Sequence, residues 1–104
     1  MRFIETSIFT KQVKELLTDE SYRMLQSSLM LRPDAGAVIK GSGGLRKIRW
    51  SLQGEGKRGA IRTIYYFDRP ESIYMIFMYK KTDQENLTPQ QVKTLKKLVE
   101  ENLL

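Results

Sequence analysis

The segment "SIYMIFMYKK" at residues 72–81 places the strongest constraint on the fold, because it is apolar at both odd and even positions. A strand with one solvated face alternates between apolar and polar residues, whereas a strand buried on both faces does not. The segment therefore predicts a central strand of a sheet. The stretch "AIRTIYYFD" at 60–68, rich in β-branched and aromatic residues, predicts a second strand, and "DRPES" a turn between the two.

The N-terminal third predicts a short strand followed by two helices. "MRFIE" has the composition of a strand, and Thr6 or Ser7 can cap a helix that runs to about Leu17. Thr18 and Asp19 start a second helix, which ends at Arg32 because the residue before a proline avoids the helical region. The two helices follow each other almost without a gap, which indicates a helical hairpin packed on one side of the sheet.

The C-terminal stretch "LTPQQVKTLKKLVEENLL" carries a clear helix start. Thr88 is a good N-cap, Pro89 suits the first helical position, and Gln91 stands three residues after the cap. With a loop at 34–44 and a strand at 45–52, the predicted order is β-α-α-β-β-β-α. We therefore expect a single α+β domain spanning 1–104, with an antiparallel sheet of three to four strands.

The strand "LRKIRWSL" at 45–52 alternates between two kinds of side chain. One face carries Arg46, Ile48, Trp50 and Leu52, and the other carries Lys47, Arg49 and Ser51. Since the apolar side chains belong to the core, Lys47 and Arg49 should point together in the opposite direction.

The stretch "GEGKRGAIR" at 54–62 contains the spacing G-x-G-x-x-G, which in dinucleotide-binding proteins follows a strand and opens a helix. Here a strand follows instead of a helix, so the fingerprint is not that of a dinucleotide site. It is not a phosphate-binding Walker loop either, because Ser51 and Arg58 stand where a glycine and a hydroxyl residue are needed. The interpretation is a glycine-rich loop between two strands that carries Lys57 and Arg58 at its tip.

The net charge of +6 is concentrated in one part of the chain. Residues 40–62 contain seven cations and one anion, whereas the remainder has eleven of each. A basic stretch on an otherwise neutral chain is the footprint of a protein that binds a polyanion. A solvated basic face is the alternative reading of the same pattern.

The chain contains neither cysteine nor histidine, so it lacks a thiol nucleophile, thiolate ligands and the usual general base. RNA carries its own nucleophile in the 2′-hydroxyl group beside each phosphate. Arginine can stabilise the phosphorane that forms on attack, and a lysine surrounded by cations can approach the pKa of a general base. Plain RNA binding would use the same cations.

Two further sets of residues are candidates for the site. The first consists of four tyrosines, Tyr65, Tyr66, Tyr74 and Tyr79. They interleave with the cations and can either stack on a base or complete the core, and both interpretations stay open. Asp83 and Glu85 form one short carboxylate pair in a predicted turn, which is weak support for a metal site. We therefore expect no metal and no cofactor.

The element order and the runs "GSGGLRKIRW", "GKRGAIRTIYYF" and "MYKKTDQENLTPQQ" resemble the RelE-like toxins, in particular the HigB-type branch of type II toxin–antitoxin systems. The resemblance covers nearly the whole chain. It implies an endoribonuclease (an mRNA interferase) that enters the ribosomal A site and cuts messenger RNA there. It also implies a HigA-like helix-turn-helix antitoxin as partner, with operator DNA bound only through the antitoxin complex.

The resemblance also implies roles for individual residues. Arg62 matches the catalytic arginine of the family, and Lys81 matches the lysine that ends the last strand. The two basic residues of the predicted strand at 45–52 complete the expected catalytic group, which is Arg62, Lys81, Lys47 and Arg49. The expected RNA-binding group is Lys57, Arg58, Lys80, Arg46 and Tyr66.

The chain departs from its relatives at two positions. A catalytic tyrosine near the C-terminus of some relatives has no equivalent here, because the last tyrosine is Tyr79, and a histidine used by others is missing. The general base and the general acid therefore stay unassigned by the sequence. The rival functions are a non-catalytic RNA- or ribosome-binding module and a protein whose basic face docks an acidic partner. No apolar run is long enough to cross a membrane, so a cytoplasmic protein is expected.

Overall fold

The computed structural model of the protein describes residues 1–51 and 60–103. Its elements are β1 (Arg2–Glu5), α1 (Ser7–Leu16), α2 (Asp19–Leu31), β2 (Ala37–Val38), β3 (Leu45–Trp50), β4 (Ile61–Asp68), β5 (Ser72–Lys80) and α3 (Pro89–Leu103). The α+β class and the order of the seven predicted elements are confirmed. The predicted glycine-rich loop, with Lys57 and Arg58, lies outside the described residues.

The strands form one five-stranded sheet in the order β1-β5-β4-β3-β2. β5 has a neighbour on each side, as its apolar sequence predicts. Two features differ from the expected antiparallel sheet of three to four strands. β1 pairs with β5 in parallel, and the two-residue β2 pairs with β3 inside the segment expected to be a loop. Local patterns do not predict the parallel pairing of β1, because its direction depends on a crossover through most of the chain. They do not predict β2 either, because two residues are too few to show an alternation.

The sheet is covered on both faces. One face packs against α1 and α2 around a core that includes Phe9, Leu25, Ile61, Tyr65 and Met75. The other face packs against α3 around Leu45, Ile64, Ile76, Leu95 and Val99. Lys47 and Arg49 do point away from Ile48 and Trp50, as the alternation predicts. The face they share is only partly solvated, however, because α3 buries the rest of it.

The three helices begin as their sequences indicate. Thr6 Oγ1 accepts a hydrogen bond from Phe9 N–H at 3.1 Å, and Thr18 Oγ1 accepts one from Ser21 N–H at 3.0 Å. At the start of α3, Gln91 N–H donates to Thr88 Oγ1 while Thr88 N–H donates to Gln91 Oε1. These reciprocal bonds form a capping box, which satisfies backbone donors that a helix leaves free. None of the helices in the described part of the chain has the length and apolarity needed to cross a membrane.

The loop before β2 is held against the sheet by Tyr65. Its hydroxyl donates to Pro33 O at 2.7 Å and accepts from Gly36 N–H at 2.8 Å. A Cβ atom at Gly36 would lie 2.8 Å from Tyr65 Cε1, so only glycine allows this approach. The Arg46 guanidinium completes the arrangement by donating to Asp34 O and Gly36 O.

Candidate active site

Three chemically active side chains lie in one row across the sheet. Arg49 on β3 is directly opposite Arg62 on β4, and Arg62 is directly opposite Tyr79 on β5. Lys47 lies two residues from Arg49 and therefore on the same face, diagonal to Arg62. Lys47, Arg49 and Arg62 are called the basic cluster below. The structure thus brings together three of the four residues expected to be catalytic.

Arg62 is buried, with only 2% of its surface exposed. Its Nε and Nη1 atoms make no hydrogen bond within the described residues. Its nearest charged neighbours in the cluster carry the same sign, and Lys97–Glu101 on α3 is the sole salt bridge in the described part of the chain. Arginine is almost never fully buried unless it is paired. Among the residues that the structure describes, no charge compensates this guanidinium at the end of the sheet.

Tyr79 is the uncharged neighbour of Arg62 in this row. It is 5% exposed, and its hydroxyl has no hydrogen-bond partner within the described residues. Burial raises the pKa of the Tyr79 phenol above its ordinary value, while the positive charge of Arg62 acts in the opposite direction. The phenol therefore stays protonated at neutral pH, and it can donate a hydrogen bond to a bound oxygen.

Lys47 is half-buried beside the two arginines. Burial lowers the pKa of its ammonium group below the ordinary value, and the charges of Arg62 and Arg49 lower it further. Glu85 opposes this change by favouring the charged form. The Lys47 Nζ donates a hydrogen bond to Asn86 Oδ1 at 2.8 Å. A lysine with a lowered pKa is more easily deprotonated, which is what a general base requires.

Lys80 ends β5 and Lys81 follows the strand, and the two lysines take different positions. Lys81 is half-buried, and its backbone N–H donates to Ala60 O at 3.3 Å, so it lies at the same end of the sheet as Arg62. Lys80 is exposed and pairs with Ile61, which faces α1 and α2. Because side chains alternate along a strand, Lys80 points away from the face that carries the basic cluster.

The structure separates two other predicted RNA-binding residues from the basic cluster. Arg46 lies on the opposite face of β3 and is engaged with backbone oxygens of the 34–36 loop. Tyr66 lies on the cluster's face but four residues beyond Arg62, a distance of about 13 Å along a strand. It packs against the core under α3. Lys57 and Arg58 lie outside the described residues, so their predicted role is not located.

The sequence patterns do not single out Asn86, and they indicate Tyr79 only as one of four tyrosines. Asn86 is 39 residues from Lys47 in the chain, so no local pattern could have revealed their contact. For Tyr79, the available signal was its place next to the cations at the end of a central strand. Within the described residues no group of three or more acidic residues is arranged to hold a metal ion.

The geometry therefore offers a buried guanidinium, a protonated phenol and an amine with a lowered pKa on one face of the sheet. Comparison with known protein families gives an independent finding. The family model described as the RelE toxin of the RelE/RelB toxin–antitoxin system matches residues 1–103. The match spans all five strands and all three helices.

Proposed function

The chain belongs to the RelE toxin family, and from this premise we propose that it is a ribosome-dependent endoribonuclease that cleaves translated messenger RNA. As a member of the family it is a toxin of a toxin–antitoxin system, and an antitoxin is its partner. We further propose that it belongs to the HigB-type branch, with a HigA-like helix-turn-helix antitoxin through which the complex reaches operator DNA. The branch assignment is supported by the run "GKRGAIRTIYYF".

The observation that carries the proposal is the buried guanidinium of Arg62, whose Nε and Nη1 atoms have no hydrogen-bond partner among residues 1–51 and 60–103. A charge without a partner is costly inside a protein, so its retention suggests a ligand that completes it. Phosphate oxygens are suitable acceptors for these donors, because hydrogen bonds from a guanidinium to a charged oxygen are short and strong. Arg49 and Lys47 lie beside Arg62 and add positive charge, which attracts the phosphate backbone of a polynucleotide.

The proposed reaction uses the 2′-hydroxyl group of RNA as nucleophile. The neutral amine of Lys47 takes the proton of this hydroxyl, and the 2′-oxygen attacks the adjacent phosphorus. Arg62 and the Tyr79 hydroxyl donate hydrogen bonds to the phosphorane oxygens, where negative charge develops. The bond to the 5′-oxygen then breaks, and this oxygen takes a proton from an ammonium group, for which Lys81 is the candidate. The products are a 2′,3′-cyclic phosphate and a 5′-hydroxyl end.

The RNA supplies the nucleophile, and side chains of the protein serve the rest of the route. Arg62 stabilises the charge of the phosphorane, and lysine takes part in both proton transfers. No metal ion or cofactor is needed in the scheme. The same surface can also hold RNA or the ribosome without cutting it, which is the alternative that the experiment must separate.

The test is a cell-free translation reaction followed by mapping of messenger RNA 5′ ends, with and without ribosomes. We expect new ends inside the reading frame that depend on ribosomes and carry the 5′-hydroxyl chemistry of transesterification. Arg62→Ala should lose about 3–4 kcal/mol of transition-state stabilisation, which is a loss of roughly 10²–10³ in rate. Arg23→Ala, at an exposed arginine of α2, removes the same charge elsewhere and serves as the control.

Three results would count against the proposal. Intact messenger RNA with stalled translation would identify a binding module instead of a nuclease. Cleavage by Arg62→Ala within twofold of the wild type would remove Arg62 from the chemistry. Equal cleavage of free and ribosome-bound RNA would eliminate the dependence on ribosomes.

A further inference from the structure

The Lys47 side chain is anchored by a residue from a distant part of the chain. Its Nζ donates to Asn86 Oδ1 at 2.8 Å, and Asn86 lies in the connection between β5 and α3. The acceptor is a side-chain amide, which carries no charge. Within the described residues, the Lys47 amine has no carboxylate within salt-bridge distance.

The connection that carries Asn86 is itself fixed at both ends. At its start, the backbone N–H groups of Asp83 and Gln84 donate to Lys80 O. In the middle, Gln84 Nε2 donates to Asn86 O at 2.9 Å and to Gln91 Oε1 at 2.8 Å. Because Gln91 is also part of the α3 capping box, the position of Asn86 is tied to the helix start.

The charges around Lys47 explain why an uncharged acceptor at Asn86 matters. Arg49 on β3 and Arg62 on β4 disfavour the ammonium form, and Glu85 in the connection favours it. On β5 the titratable group in the adjacent row is Tyr79. A carboxylate at position 86 would occupy nearly the same volume as the amide, but it would form an ion pair with Lys47. Such a pair holds a lysine in its protonated form.

We propose that Asn86 is a positioning residue that holds the Lys47 amine beside Arg62 through a neutral acceptor and so keeps it free of an ion pair. This inference rests on the proposed function, since it assigns Lys47 the task of removing the 2′-hydroxyl proton. The amide fixes the direction of the amine without adding a negative charge. The lowered pKa of Lys47 is consistent with this arrangement.

The test compares the pKa of Lys47, measured by nuclear magnetic resonance of its side-chain carbons, with the pH profile of single-turnover cleavage. In Asn86→Asp the new carboxylate should raise the pKa of Lys47 by about one unit or more. The ascending limb of the cleavage profile should move to higher pH by the same amount. At neutral pH the rate should then fall about tenfold for each unit, because less of the amine is deprotonated.

Two matched variants separate positioning from a structural role. Asn86→Ala removes the acceptor without adding charge, so the rate should fall while the pKa of Lys47 does not rise. Glu85→Gln removes the carboxylate that favours the ammonium form, so the pKa of Lys47 and the ascending limb should move to lower pH. A purely structural role of Asn86 would lower the rate in both Asn86 variants and leave the pH profile in place.

The outcomes discriminate this inference from the proposed function. An unchanged pKa of Lys47 in Asn86→Asp would overturn the contact, and a raised pKa with an unmoved pH profile would overturn the catalytic consequence. Absence of cleavage by the wild type at every pH would instead refute the proposed function. The inference would be supported if the pKa of Lys47 and the pH profile moved together, to higher pH in Asn86→Asp and to lower pH in Glu85→Gln.

Discussion

Arg49 and Arg62 lie directly opposite each other on the neighbouring antiparallel strands β3 and β4. Like charges in such a pair are destabilising, and here one of them is also buried. The arrangement is therefore unfavourable for the folded protein on its own. We expect a bound polyanion to relieve the repulsion, because its negative charge lies between the like charges of the two guanidinium groups.

Replacing Arg62 with Met should stabilise the fold while it abolishes cleavage. Methionine fills a similar volume without charge, and the substitution removes two buried donors that have no partner in the described part of the chain. Each unsatisfied buried donor costs about 1–3 kcal/mol, so we expect the free energy of unfolding to rise by about 2 kcal/mol or more. Urea denaturation measures the change. Arg23→Met, at an exposed position of α2 outside the basic cluster, is the control and should stay within about 0.5 kcal/mol of the wild type. A less stable Arg62→Met protein would mean that Arg62 has a structural partner.

The contribution of Lys47 to stability should depend on pH in a defined direction. The pKa of Lys47 is lowered in the folded state and returns to about 10.5 in the unfolded chain. Below the folded-state pKa, Lys47 is protonated in both states, and the folded protein carries the full cost of the ammonium form. As pH rises from the folded-state pKa to the unfolded-state pKa, the folded protein releases the proton first and this cost is relieved. Lys47→Met should thus be more stable than the wild type near pH 7, with a difference that shrinks toward pH 10.5. Urea denaturation over this range measures both proteins, and a difference that grows with pH contradicts the expectation.

Replacing Tyr79 with Phe should separate its packing from its hydroxyl group. The ring belongs to the core under α3, and phenylalanine keeps that packing. Because the hydroxyl is buried and no described residue bonds to it, its loss should leave the free energy of unfolding unchanged or raise it by up to about 1 kcal/mol. Cleavage should nevertheless fall about tenfold or more if the hydroxyl donates to the phosphorane. Thermal melting and single-turnover rates on the same preparation test both halves, and an unchanged rate would leave Tyr79 as a core residue only.

Neutralising Lys57 and Arg58 together should weaken RNA or ribosome binding and reduce its dependence on salt. Each contact to a single-stranded phosphate contributes about 0.7 to the slope of log affinity against log salt, so the double Gln variant should lose about 1.4 from the slope. The control variant neutralises Lys93 and Lys97, two exposed lysines of α3. Binding isotherms at several salt concentrations provide the slopes. Equal slopes for the wild type and the Lys57/Arg58 variant would locate the phosphate contacts elsewhere.

Much of the fold could be read from local patterns. The caps at Thr6, Thr18 and Thr88 mark the helix starts correctly, and the apolar run at 72–81 identifies the central strand. The alternation at 45–50 also separates Lys47 and Arg49 from Ile48 and Trp50. These features succeed because a cap or a strand face is decided by residues within a few positions of each other.

The candidate site was predicted only in part, because its geometry depends on pairing between strands. For Arg46, the alternation at 45–52 already indicates the face opposite Lys47, but only the fold shows that its guanidinium donates to Gly36 O. The number of strands, the parallel pairing of β1 and the second core under α3 were likewise outside the reach of local patterns.

Local sequence patterns fix the positions of the helices and main strands, the concentration of cations between residues 40 and 62, and a chemistry without histidine or cysteine. Only the packed fold shows that Arg62 is buried between Arg49 and Tyr79 with two donors unpaired within the described residues, and that Asn86 reaches Lys47. Composition and periodicity are properties of short segments, and they persist in any conformation. Burial and contact arise only when segments far apart in the chain pack together, since the register of the strands sets which side chains meet.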